Sequence, residues 1–232
     1  MAGESGTQQP TSESAARARI VLRPIASPMA LGFIALGGAT LVLSGLQLGW
    51  LASGETNIAA LVLVLFGFPL QLLASIFGFL ARDGAAATGM GVLAVSWLTT
   101  GIVKFLSPPG ATSAALGILL LFAGAALMIP ALAASFGKLV PALVLFTAAA
   151  RLLLSGAHQV TTLAPVQFAA GVVGVVLVAI ALYAALALAL EDVRRRTVLP
   201  VLRMGMGATS MRATTAEQLV GIDNEAGVRE QL

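Results

Sequence analysis

The apolar positions of this chain form long unbroken runs rather than one-sided stripes. The stretches 24–54, 56–81, 84–103, 105–137 and 152–190 contain no Asp, Glu, Lys or Arg. A helix needs about 20 predominantly apolar residues to cross a bilayer. A spanning β-strand would alternate apolar and polar positions, and no such alternation is present. The breaks are SGET at 53–56, RDG at 82–84, SPPG at 107–110, SFGK at 135–138 and HQVTTLAP at 158–165. Each carries Gly, Pro or polar and charged residues, where backbone groups can leave the hydrocarbon and meet water. The pattern predicts six helices, at about 29–51, 57–81, 85–106, 112–134, 139–157 and 166–190.

Composition agrees. The chain is 58% hydrophobic and 10% charged with a mean hydropathy of +0.97, against roughly 45–50% and 25% for soluble domains. The fold class expected is all-α, a polytopic membrane protein with six transmembrane helices embedded in a lipid bilayer. The transmembrane domain is expected over 24–202. Residues 1–23 and 203–232, rich in polar and small residues, are expected to be disordered tails. The first 19 residues have no apolar h-region, so no signal peptide is expected. With no cysteine, disulfides, thiolate metal sites and cysteine nucleophiles are excluded.

Charge then orients the bundle. Eleven of the thirteen Lys and Arg residues fall on one side if both termini are cytoplasmic: Arg17, Arg19, Arg23, Arg82, Lys138, Arg194, Arg195, Arg196, Arg203, Arg212 and Arg229. That is the positive-inside distribution. The pI near 10.2 is therefore a topology signal, and no nucleic-acid partner is expected.

The usual catalytic chemistry is missing. There is one histidine, no HExxH, GxSxG or P-loop, and no acidic residue inside an expected span. Glu55, Asp83, Glu191 and Asp192 fall at ends or in loops, and Ser44, Ser75, Ser96 and Ser155 lack an adjacent base. Neither catalysis, a cofactor nor a metal site is expected. A proton-coupled transporter usually carries a titratable acid within a span. Here a coupling proton would have to travel on His158 or on the substrate.

Polar features within the spans remain. Gln71 follows Pro69, which removes one helical bond and frees the carbonyl of Leu65. That makes either a hydrogen-bonding notch facing a pathway or a kink with Gln71 bonded to a neighbouring helix. GLQLG at 45–49, and Gly171 with Gly174, are small-residue positions for close helix packing or oligomer contacts. Trp97 and Tyr183 either pack, the default for buried aromatics, or line a pore, and Trp97 is counted among the candidate pathway residues. Lys104 and Arg151 are the two cations inside spans. Arg151 is expected about 9 Å below the outer end of the fifth helix. It either snorkels to the headgroups or joins Lys104 in an external vestibule that concentrates anions.

Several segments together resemble the acetate uptake transporter family. SPMALGF at 27–33 resembles its NPAPLGL signature: Pro28, Leu31 and Gly32 match, Ser27 stands for Asn and Ala30 for the second Pro. Gln71, Ala74, Thr88, Trp97 and Leu98 fall in step with a second conserved stretch. Arg196, Thr197, Val198, Leu199 and Pro200 resemble the closing Gly-Arg-Thr-Val-Leu-Pro, with Tyr183, Gly174 and Gly171 in register before it. Gly78 stands where the family has Glu, and Leu93 where it has an aromatic.

The resemblance implies a six-helix protomer in a homo-hexameric ring in the plasma membrane. It implies a pathway narrowing at Leu36, Leu93 and Phe146, and a small carboxylate such as acetate, or succinate, as substrate, with proton linkage. The alternatives are an ammonia or other small-solute exporter, or a non-transporting membrane scaffold or sensor. The charge bias makes the topology testable. A C-terminal reporter is expected to be cytoplasmic, and a Gly54→Cys variant is expected to react with a membrane-impermeant thiol reagent added outside. External labelling of the C-terminal tail would reverse the orientation.

Overall fold

The computed structural model describes residues 26–194 and 196–204. Among these, six helices are long and apolar enough to cross a membrane. They are α1 (Met29–Gln47), α2 (Ser53–Leu80), α3 (Gly84–Leu106), α4 (Ala114–Ser135), α5 (Leu139–Thr161) and α6 (Ala164–Arg194). The expected tails lie outside the described residues, apart from Arg203 and Met204.

The helices close a ring. Each packs on its chain neighbours, and α6 returns to pack on α1. Lipid supplies no hydrophobic drive between helices, so backbones must approach closely at small residues. The α4–α5 contact shows this directly. A Cβ on Gly156 would stand 2.8 Å from the Gly117 carbonyl oxygen and 2.8 Å from the Leu121 amide nitrogen. Likewise, a Cβ on Gly101 of α3 would stand 2.8 Å from the Ala60 carbonyl oxygen of α2. Side chains such as Leu65, Phe122 and Ile129, each about 70% exposed, point outward from the ring, as lipid-facing residues do.

Local signals explain the ends. α1 stops at Gln47, four residues before the expected end. Gly49 takes a φ of +74°, its N–H bonds the Leu46 carbonyl at 3.3 Å, and the Trp50 N–H bonds the Gly45 carbonyl at 2.8 Å. That is a Schellman stop, so Gly49 of GLQLG ends this helix. Asp83 caps α3 by accepting from the Ala86 N–H, and Ser113 caps α4 by accepting from the Leu116 N–H. Within α2, a π turn at Leu63–Gly67 precedes Pro69. The wider turn takes up the lost helical bond and the ring clash that proline brings.

α5 continues four residues past its expected end, so HQVT is helical and the break shrinks to Thr162 and Leu163. Thr162 ends the helix in the left-handed region at φ +60°. Gln159 is free to stay helical because its Oε1 accepts the Ser113 N–H at 2.8 Å.

After α6 the chain folds back on the face that carries both Met29 and Arg194. Val201 is fully buried, the carbonyls of Leu202 and Val201 accept from the amides of Leu139 and Val140, and Met204 donates to Gly137. Arg203 pairs with Glu191, and Tyr183 donates to the Pro200 carbonyl at 3.0 Å. These contacts carry the packed chain as far as Met204.

Gly156→Ala is expected to force α4 and α5 apart and to cost about 1–3 kcal/mol, as overpacking does. Gly54→Ala, at a position with open space around it, is expected to cost far less. Equilibrium unfolding of both variants in mixed micelles checks the contrast.

Candidate functional site

Three alternate helices, α1, α3 and α5, meet at the ring interior, each presenting residues mostly three or four apart. Phe33, Leu36, Thr40, Leu43, Ser44 and Gln47 follow one another up α1. Met90, Leu93, Trp97, Thr100 and Lys104 follow up α3. Leu145, Ala148, Arg151, Leu152 and Ser155 follow up α5. Most of these are buried; Gln47 and Lys104 are half-buried. Each series passes from apolar, near the face that carries the chain ends, to polar, near the opposite face.

The polar level centres on Arg151. Its side chain does not run out to the headgroups: with α5 ending at Thr161, it lies about 15 Å from that end, and it is only 2% exposed. The guanidinium reaches across the ring. Nη2 donates to Gln47 Oε1 of α1 at 3.3 Å, and Cζ sits 5.5 Å from the centre of the Trp97 ring of α3. Gln47 Nε2 in turn donates to Ser155 Oγ at 3.3 Å. Nε of Arg151 and Oγ of Ser44 are buried with no hydrogen-bond partner.

Both of those atoms crowd Gly174 of α6, where a Cβ would stand 2.0 Å from Ser44 Oγ and 2.7 Å from Arg151 Nε. One turn earlier, a Cβ on Gly171 would stand 2.7 Å from Leu48. These two glycines let α6 close on α1 beside the arginine, which accounts for them as packing positions within the chain.

Trp97 joins this level to the next. Its Nε1 donates to Gln71 Oε1 at 2.6 Å, and Gln71 Nε2 donates to the Gly32 carbonyl at 3.4 Å, with Met90 Sδ at 3.5 Å. Gln71 is fully buried, so it bonds neighbouring helices rather than opening a notch. Gly67, in the π turn, lies where a Cβ would meet Trp97 Cγ at 3.3 Å. The widened turn makes room for the indole.

Among the described residues, a cavity lies at each end of the interior. One, of about 50 Å³, is walled by Gln47, Trp97, Thr100, Lys104, Arg151 and Ser155 among others, with His158 and Gln167 toward its mouth. It holds two cations and no Asp or Glu. The other, of about 200 Å³, opens at the face of the chain ends between Phe33, Asp83, Lys138 and Leu188. At the levels between them lie Leu36, Leu93, Leu127 and Leu145, at most 2% exposed and part of one apolar cluster.

The residues singled out from the sequence are thus spread over three places. Arg151, Lys104 and Trp97 line the cationic cavity, and Leu36 and Leu93 lie at the apolar level. Phe146 is half-buried at the edge of the core, while its neighbour Leu145 is buried within it. The signature residues sit at the start of α1: Ser27 is exposed, Pro28 is half-buried and Leu31 is 38% exposed, and none of the three lines either cavity. Gly32 is a close-packing position, where a Cβ would meet Met90 Sδ at 2.8 Å and Ala74 at 2.9 Å. Ser44 and Ser155 were legible only as serines without a base; their place beside the arginine follows from helical spacing and from how α1 and α5 face each other.

Comparison with known proteins agrees with this architecture. A search of curated proteins finds no match. The solved structure of the bacterial acetate channel SatP is similar, with a TM-score of 0.66 over 76% of this chain and 98% of that one, at 23% identity. Residues 6–206 match the GPR1/FUN34/yaaH family. Six spans closed into a ring, the matched length and the shared fold lead to one conclusion: the chain belongs to the GPR1/FUN34/yaaH family.

Proposed function

We propose that this protein is a plasma-membrane permease for small monocarboxylates such as acetate, conducting through the interior of each six-helix ring. The observation that carries the reading is the cationic cavity, free of acids among the residues that line it, set above an apolar level that separates it from a second cavity. Family membership and the likeness to an acetate channel support it.

The parts divide the work. Lys104 and Arg151 raise the local concentration of anions at the polar end. Leu36, Leu93 and Leu145 form a constriction that excludes water and sets the size of what passes. This reading replaces Phe146 with Leu145 at the third position, because Leu145 is the residue that faces inward. Ser27, Pro28, Leu31 and Gly32 position the start of α1 rather than touching the substrate. Two cations at the entrance repel ammonium, which argues against an exporter of that ion. No acid lines the cavity beside Arg151, so a coupling proton is assigned to the substrate carboxyl or to His158 rather than to a buried acid. The charge bias supports a cytoplasmic position for both termini, and the family resemblance supports a homo-oligomer.

Purified protein in proteoliposomes is expected to take up labelled acetate. Leu93→Ala and Leu145→Ala are expected to raise the flux of longer carboxylates several-fold relative to acetate, with Phe146→Ala nearer the wild type. Equal selectivity in well-folded Leu36→Ala, Leu93→Ala and Leu145→Ala variants would remove these residues from the pathway. No acetate flux in the wild type would remove the permease reading.

A further inference from the structure

We propose that Arg151 is a carboxylate-binding centre: a small monocarboxylate seats on its guanidinium inside the cavity, and the substrate is captured as the anion. The proposal rests on the permease reading and names the ionic form which that site takes.

The argument starts from an unbalanced charge. Arginine stays protonated at any usable pH, and a buried charge with no counter-charge is strongly destabilising. The four acidic residues among those described are Glu55, Asp83, Glu191 and Asp192, and none lines this cavity. The partners that Arg151 does have are neutral: one hydrogen bond of 3.3 Å and one aromatic face at 5.5 Å. Its Nε has none.

Geometry supplies the rest of a site. A guanidinium presents donors in a plane that matches the two oxygens of a carboxylate. Gln47 and Trp97 hold that plane from two sides, so little ordering is left for binding to impose. Ser155 Oγ accepts from Gln47, which leaves its own O–H to donate, and Thr100 lines the same cavity. A water needs about 10–15 Å³ on this measure of volume, so about 50 Å³ holds a few waters or one molecule with as few heavy atoms as acetate. Ammonium finds no counter-charge there.

Fluorescence can read the site. The chain has two tryptophans, of which Trp50 is 62% exposed and Trp97 lies against Arg151. In the full-length Trp50→Phe protein in detergent, sodium acetate is expected to change Trp97 emission saturably. Sodium chloride and ammonium chloride at matched ionic strength are expected not to. The apparent Kd for total acetate is expected to hold from about pH 6 to about pH 8, whereas a site for the neutral acid would weaken about tenfold per pH unit. Arg151→Gln in the same background is expected to weaken binding at least about tenfold, with Arg151→Lys intermediate. Without acetate, Arg151→Gln is expected to melt above the parent, since a lone buried cation has been removed.

Wild-type affinity in Arg151→Gln, a tenfold fall per pH unit, or a lower melting point for ligand-free Arg151→Gln would overturn the proposal. Acetate flux in proteoliposomes separates the two levels. Flux in the wild type with Arg151-independent binding sinks this site and leaves the permease. Arg151-dependent binding without flux sinks the permease and leaves the site.

Discussion

Helices in lipid gain nothing by hiding apolar surface from one another, so this ring stands on backbone contacts made where side chains are missing. Gly117 and Gly156 bring α4 to α5, Gly101 brings α3 to α2, and Gly171 with Gly174 bring α6 to α1. The last of these contacts closes the circle, and its geometry is shared with the cation. The space that a Gly174 side chain would fill is occupied by Ser44 and Arg151. Ring closure and the position of the charge are therefore one packing problem.

Six polar groups of the interior form a single brace. From Ser155 through Gln47, Arg151, Trp97 and Gln71 to the Gly32 carbonyl, each member touches the next, and the series ties α5, α1, α3 and α2 together. Buried amides are costly when unpaired, and here the Gln71 carbonyl takes the indole N–H while its amino group faces a backbone oxygen. Trp97 is the joint of the brace. Its face meets a cation and its edge meets an amide, so one side chain marks the boundary between the wet level and the apolar one. The π turn in α2 follows from the same need for room.

Much of this was legible in the sequence, for a physical reason. Lipid demands long uncharged runs and forbids exposed loops, so the six spans and their breaks follow from composition alone. Helix ends depend on details that runs do not carry. Gly49 ended α1 early because its positive φ completes a Schellman turn. HQVT stayed helical because Gln159 finds the Ser113 amide beside it and a polar cavity borders His158. Direction was the harder matter. A one-residue step turns a helix by about 100°, so Leu145 points into the core and Phe146 to its edge, although Phe146 is the bulkier residue. Arg151 stood out by type, but whether it pointed to headgroups or inward depended on its neighbours: Ala148, Leu152 and Ser155 share its buried side, while Ala150 and Leu153 face out.

An arginine and a leucine level make opposite demands on a carboxyl group. Beside Arg151 the ionised form is favoured, because it alone supplies the missing counter-charge. Among Leu36, Leu93 and Leu145 the neutral form is favoured, because an unpaired carboxylate there would lose its hydration without compensation. In the permease proposed above, an anion bound on Arg151 would thus be attracted strongly and held back from the constriction by the same charge. Gaining a proton reverses both effects: the guanidinium loses its hold and the apolar level becomes passable. With no acid lining the cavity, the proposed permease would take that proton from water or from His158. Placing the cation about 9 Å from Leu145 along α5 keeps the two demands apart, so that neither level cancels the other. A cation set among the leucines would trap the anion in the constriction, and one at the membrane surface would be screened by salt. On the proposed reading, the depth of Arg151, costly for insertion, is the depth at which its charge would select an ion without blocking the path.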